Sequence, residues 1–86
     1  MKHNLKTWPE PFSEVWAGRK KFELRVNDRN YQVGDDLLLL EFDPQASTYT
    51  GRWIEVTITY KLEGGQWGLP QNFCILSIQE KILRGE

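Results

Sequence analysis

The sequence predicts a small, strand-dominated α+β domain: a barrel of about five strands with one main helix. The 86 residues are enough for one domain and not for two, so residues 1–86 are expected to form a single unit. Only one segment has the spacing of an amphipathic helix, whereas several show the alternation of strands. Short, turn-rich connections separate these segments, as in small barrels.

The helix is predicted in PEPFSEVWAG, residues 9–18. Two prolines suit its first turn, where a missing N–H costs nothing. Phe12, Val15 and Trp16 follow the i, i+3, i+4 spacing and form one apolar stripe. Gly18 then provides the C-terminal stop.

Five segments are predicted as strands: NLKTW, KKFELRV, LLLLEF, RWIEVTITYKL and FCILSIQEKIL. LLLLEF is continuously apolar, so we expect burial on both of its faces. The loop DPQASTYTG follows it, and the strands on either side are expected to form an antiparallel hairpin.

Two of these strands alternate clearly between apolar and polar side chains. In the second strand, the apolar residues are expected to face the core: Phe22, Leu24 and Val26. In the fourth, we expect the inward side chains to be Ile54, Val56, Ile58 and Tyr60, with Glu55 among the outward ones.

The net charge and the numbers of cysteine and histidine residues limit which functions are compatible with the sequence. The net charge is −1, so bulk electrostatics would give little help in holding a long phosphate backbone. The lone cysteine, Cys74, lies in an apolar run and is interpreted as a core residue. With one histidine, His3, no metal-ligand cluster and no cofactor are predicted. No signal peptide or membrane span is evident, so the default expectation is the cytoplasm.

The stretch GRKKFELRVNDR concentrates charge in a predicted strand. Lys21, Glu23 and Arg25 alternate along it and therefore share one face. Glu23 and Arg25 could form an ion pair on a solvated surface, worth about 0–1 kcal/mol. The alternative is a site, in which Arg25 binds a phosphate or base edge and Glu23 accepts from an amino group.

Several motifs resemble a known group of domains. Gly18 to Arg25 has the form G-x-K-x-x-E-x-R, which is similar to the signature of ASCH domains in the PUA-like superfamily. One small, functionally uncharacterised ASCH-like family is closer still, since four further patterns match it over nearly the whole chain. These are H-x-L-K-x-W-P-x-x-F at 3–12, N-D-R with V-G-D at 27–35, Y-T-G-R at 49–52 and G-G-Q-x-G-L at 64–69.

The resemblance implies a PUA-like β-barrel with a helix beside a cleft that binds RNA or a nucleoside. A related branch removes an acyl group from a modified cytidine, using a lysine, a threonine three residues later and a glutamate. Lys20 matches the lysine, but Glu23 stands where the threonine would be and has no hydroxyl to act as a nucleophile.

The candidate ligand-binding residues have Lys20, Glu23 and Arg25 as their polar centre. The full set is Lys6, Trp8, Lys20, Lys21, Glu23, Arg25, Asn27, Arg29 and Gln66. The motif favours Lys20 as the lysine in the cleft, whereas alternation favours Lys21. Trp8 is either a stacking platform for a base or a packing residue against the helix.

Three functions are compatible with these residues. The first is a binding module for RNA or a modified nucleoside or nucleotide. The second is a metal-independent hydrolase, either an amidohydrolase or a ribonuclease, with Lys20 and Glu23 as catalytic proton-transfer groups. The third is a protein-interaction adaptor anchored by Trp53 and Trp67. The sequence does not decide whether the protein is an enzyme.

Overall fold

The computed structural model describes the backbone of residues 1–86 and every side chain except that of Ile82. It consists of β1 (Lys2–Thr7), α1 (Pro9–Trp16), β2 (Phe22–Val26), β3 (Asp36–Asp43), β4 (Thr48–Glu63) and β5 (Phe73–Gly85). The five strands form one curled sheet, a half-barrel, which confirms the predicted strand-dominated α+β class.

The strand order is β1-β3-β4-β5-β2, so β1 and β2 are the two edges of the sheet. β1 runs parallel to β3, with His3 opposite Leu37. β3 and β4 form the predicted antiparallel hairpin, and β5 pairs antiparallel with both β4 and β2. Curling of the sheet brings its two edges towards each other without a backbone ladder between them.

The core lies between the concave face of the sheet and α1, which buries Phe12 and Val15 as its apolar stripe predicts. Leu37 and Leu39 of β3 are fully buried, while the alternate leucines of that strand are partly covered. The other core members are Leu5, Tyr31, Ile54, Val56, Ile58, Cys74, Leu76 and Ile78, with Trp16 packed against them.

The predicted orientation of β2 is wrong. Phe22, Leu24 and Val26 are about half exposed, whereas Glu23 on the opposite face is only 3% exposed. The register pairs Glu23 with the buried Leu76, which places the charged face of β2 on the concave side of the sheet. An edge strand can take this orientation when cations satisfy the buried carboxylate.

Two further expectations for β4 are wrong. Tyr60 is exposed, because the register of β4 against β5 shifts between Ile58 and Tyr60 and turns this side chain outward. Glu55 is buried, and its two oxygens lie 2.9 Å from Lys2 Nζ and 3.2 Å from Lys81 Nζ. A buried carboxylate held by two lysines was not predicted by alternation alone.

Arg52 connects the helix to the β3–β4 hairpin. Its guanidinium donates to both oxygens of Glu41, at 2.9 and 3.0 Å, and lies about 5 Å from the rings of Phe12 and Trp16. Hydrogen bonds from Arg52 lower the pKa of the Glu41 carboxyl. No helix in the described part of the chain is long and apolar enough to cross a membrane.

Candidate functional site

A cleft of about 520 Å³ opens at the seam, the gap between the edge strands β1 and β2. Charged and apolar side chains from both edges line it, together with the first turn of α1. The lining residues are Lys6, Thr7, Trp8, Pro11, Lys20, Phe22, Glu23, Leu24 and Arg25.

Glu23 is the centre of the polar arrangement in the cleft. Lys20 Nζ lies 2.8 Å from its Oε1, and Arg25 Nε lies 2.9 Å from its Oε2. Each carboxylate oxygen therefore faces a cation, which is how a nearly fully buried carboxylate is normally stabilised. Lys20 Nζ also donates to the backbone carbonyl of Phe22, so this ammonium group is held in place on two sides.

Arg25 also reaches across the seam. Its Nη1 donates to the carbonyl of Lys6 and its Nη2 to Thr7 Oγ1, both at 3.2 Å. Arg29, just beyond β2, donates to the carbonyl of Asn4 at 3.0 Å. Side chains thus connect the two edges of the sheet where backbone hydrogen bonds are missing, and the guanidinium of Arg25 is fixed relative to both strands.

The helix C-terminus positions Lys20. Gly18 adopts φ +80°, and the next two backbone N–H groups both donate to the carbonyl of Glu14. This tight ending directs the side chain of Lys20 into the cleft. Lys21 is exposed and borders a different hollow, beside Glu80. The lysine that lines the cleft is therefore Lys20, which the motif favours, and not Lys21, which alternation favours.

Trp8 forms one wall of the cleft, where the chain leaves β1 and α1 begins. It is the N-cap residue of the helix and remains 50% exposed, so it is not a core residue. Pro11 lines the same side, and the half-exposed Phe22 and Leu24 line the opposite side. Flat apolar groups on both sides of a charged centre suit a ligand that is part ring and part polar.

The cleft is more positive than the protein as a whole. Lys6, Lys20 and Arg25 contribute three positive charges against the single negative charge of Glu23. The chain carries a net charge of −1. This contrast favours an anionic or acceptor-rich ligand at this site.

Besides Lys21, three other predicted site residues do not line the cleft: Asn27, Arg29 and Gln66. Asn27 donates to Glu63 Oε1 at 3.0 Å, and Gln66 donates to the carbonyl of Glu63 at the same distance. Arg29 is committed to the carbonyl of Asn4. These residues form turns and bridges, and the structure does not bring them to Glu23.

Four residues that line the cleft were not predicted from the sequence: Thr7, Pro11, Phe22 and Leu24. Phe22 and Leu24 were assigned to the core by alternation, so no sequence signal marked them as cleft walls. Pro11 follows Trp8 by three positions, which places both at the start of the helix and could have identified it. Thr7 carried no signal of its own.

His3 has a structural position away from the cleft. Its Nε2 lies 2.9 Å from Asp35 Oδ2, and its ring packs edge-on against Tyr31 at 4.8 Å. The pKa of the Asp35 carboxyl is lowered to about 2. The main cause is the hydrogen bond with His3, and the backbone N–H of Gln32 contributes a second hydrogen bond. No group of three potential metal ligands occurs among the described side chains.

Comparison with known proteins matches the sequence of this chain to a family. A family described as "Domain of unknown function (DUF3850)" matches residues 2–78. The chain is also similar to an uncharacterized 12.9 kDa protein in the GpA 3′ region of Escherichia phage P2, with 37% identity over 65 residues. That alignment covers 76% of this chain and 58% of the phage protein, so the chain spans less than two thirds of that relative.

Proposed function

The chain belongs to the DUF3850 family, and from its cleft we propose that it binds RNA or a nucleoside or nucleotide. We further propose that its half-barrel is of the ASCH type within the PUA-like superfamily, as the motifs from Gly18 to Arg25 suggest. The expected cytoplasmic location remains a prediction.

The arrangement of Glu23 between Lys20 and Arg25 carries the proposal. Both cations are fixed before any ligand arrives, so little side-chain entropy is lost when a ligand binds them. A carboxylate has about four lone-pair positions, so Glu23 can accept one more hydrogen bond from a base amino group. Lys6 and Arg25 then provide donors for a phosphate.

The walls of the cleft suit a nucleobase. Trp8 presents an accessible ring on one side, and every base has a π-face that can stack on an aromatic side chain. The volume of about 520 Å³ falls within the range of small-ligand sites, about 300–1,000 Å³. A single nucleotide therefore fits the cleft in both size and chemistry.

A titration with cytidine monophosphate, followed by NMR of the backbone amides, tests the proposal. We expect the largest shifts in residues 6–8 and 20–25, and weaker binding of roughly 10-fold in Lys20→Ala and Trp8→Ala. Lys21→Ala and Trp67→Ala are matched controls, because Lys21 faces another hollow and Trp67 is 87% exposed on the β4–β5 loop. Both controls should bind as the unaltered protein does.

Equal losses in each variant and its control would place any binding outside the cleft. If neither cytidine monophosphate nor a short RNA shifts the amides of residues 6–8 or 20–25, the proposal fails.

A hydrolase is the second candidate, favoured by the 2.8 Å contact of Lys20 Nζ with Glu23 Oε1 inside the cleft. A lysine and a carboxylate in contact can pass a proton to a leaving group. Turnover of N4-acetylcytidine that is lost in Lys20→Ala but kept in Lys21→Ala would place this candidate first.

The adaptor alternative rests on fewer observations. Trp53 is partly buried, and its indole ring packs so closely over Gly85 that a Cβ there would overlap it. Of the two tryptophans expected as anchors, only Trp67 is largely exposed.

A further inference from the structure

An aromatic patch adjoins the cleft on the outer side of the sheet, formed by Trp8, Phe42 and Tyr49. The ring centroids of Trp8 and Phe42 are 5.7 Å apart, and those of Phe42 and Tyr49 are 5.0 Å apart. Trp8 also lines the cleft, so the patch begins where the cleft ends. Tyr49, at the far end on β4, is 51% exposed.

Lys6 lies at the junction of the cleft and the aromatic patch. It lines the cleft, and its Nζ lies 4.2 Å from the centroid of the Phe42 ring. Unlike Lys20, it forms no ion pair with a carboxylate in the described part of the chain. An exposed cation that lies beside the Phe42 ring without a carboxylate partner is available to an external phosphate.

We infer that the ligand is single-stranded RNA of at least two nucleotides, and not a free mononucleotide. One base occupies the cleft against Trp8, the next stacks on the ring of Tyr49, and Lys6 contacts the phosphate between them. This inference rests on the proposed function. It extends the proposed ligand from one base in the cleft to a second base on the aromatic patch.

The charges around Trp8 determine the direction that the bound RNA takes beyond this residue. A second hollow on the other side of Trp8 is lined by three prolines, Gln45 and the carboxylates Glu10 and Asp43. Those two negative charges repel a phosphate. The bound RNA therefore runs past Lys6 and Phe42 towards Tyr49.

The aromatic patch also has a packing role, which the experiment must separate from binding. Phe42 lies between its two neighbours, so its removal would disturb the β3–β4 hairpin. Tyr49 is at the end of the patch, packs against Phe42 and is 51% exposed. Tyr49→Ala is therefore the informative variant, and Tyr60→Ala is its control, since Tyr60 is an exposed tyrosine of the same strand.

The experiment compares cytidine monophosphate with the dinucleotide CpC carrying a 5′-phosphate, by calorimetry or fluorescence quenching. We expect the dinucleotide to bind roughly 10-fold more tightly, with Tyr49→Ala removing most of that gain, since stacking of one base contributes about 5- to 160-fold. Tyr49→Ala should leave mononucleotide binding unchanged, and Tyr60→Ala should change neither.

Equal affinities for the two ligands, or a dinucleotide advantage that survives in Tyr49→Ala, would overturn the inference. In those cases the mononucleotide still binds, so the proposed function stands. Absence of binding for both ligands would remove the proposed function and this inference together.

Discussion

Buried carboxylates distinguish this protein at the scale of single residues. Glu23, Glu41, Glu55 and Asp35 all lie in the interior or at its margin, and each is held by a cation or by His3. A buried charge persists only when hydrogen-bonding partners surround it. Pairing with nearby cations thus explains why Glu23 and Glu55 are buried, although alternation assigns both to the solvent side.

Acid sensitivity should reveal the pairing of Asp35 with His3. The pKa of Asp35 is lowered from 3.8 to about 2, so its contribution to stability is complete above about pH 4 and is lost as the pH falls towards 2. Asp35→Asn should lower the free energy of unfolding by about 1–2 kcal/mol near pH 6, and the difference should shrink near pH 2. Urea unfolding at both pH values measures it.

The exposed Asp28 provides the control for this pH dependence. Asp28→Asn should change the free energy of unfolding by less than about 0.5 kcal/mol. A loss in Asp35→Asn that is the same at both pH values would show that the ionised carboxyl is not the source of the stability.

Part of the site could be predicted residue by residue. The spacing of Glu23 and Arg25 places them on one face, and they do form an ion pair. Alternation defines the period of a strand but not which face is covered. That choice depended on the position of β2 at the sheet edge and on Lys20, which lies in the short connection before β2 and could be placed only through the family motif.

At the scale of elements, the sequence predicted the five strands, the helix and the β3–β4 hairpin, because periodicity and turn residues are local signals. It could not predict the seam. The seam results from curling of the whole sheet, which brings β1 and β2 together although they are not paired. Arg25 and Arg29 bridge it through contacts between residues far apart in sequence.

Arg25→Lys should loosen the seam. It retains the positive charge but loses the planar group that contacts Glu23, the Lys6 carbonyl and Thr7 together. We expect the free energy of unfolding to fall by about 1–2 kcal/mol and amide exchange in β2 to accelerate. Chemical unfolding and hydrogen exchange measure these two effects.

Arg19→Lys is the matched control, because Arg19 forms an equally close pair with Glu14 on the exposed surface. A solvent-exposed ion pair contributes little to stability, so Arg19→Lys should cost much less than Arg25→Lys. If both variants lose the same stability, the contacts of Arg25 across the seam have no stabilising role.

At the scale of the whole molecule, a positive cleft interrupts a surface of slightly negative net charge. Glu23 compensates part of the charge of Lys20 and Arg25, so few cations remain for phosphates. This balance distinguishes a protein that recognises a short segment from one that holds a long backbone, for which counterion release dominates.

Salt dependence should reflect this limited charge. For one or two phosphate contacts with single-stranded RNA, the slope of log K against log salt concentration is expected between about −0.7 and −1.4. Lys6→Ala should reduce the slope by about 0.7, because Lys6 is the cleft cation that forms no ion pair among the described side chains. Fluorescence anisotropy over a range of salt concentrations measures both slopes, and a slope steeper than about −3 would contradict the proposed binding of a short RNA segment.

The side chains across the seam also bear on how copies of this protein behave when crowded. An open strand edge with free carbonyls is a template for intermolecular pairing and aggregation. Two carbonyls at the open edge of β1, those of Asn4 and Lys6, already accept hydrogen bonds from arginines. The same guanidinium groups that close the half-barrel therefore protect its edge from the strands of other molecules.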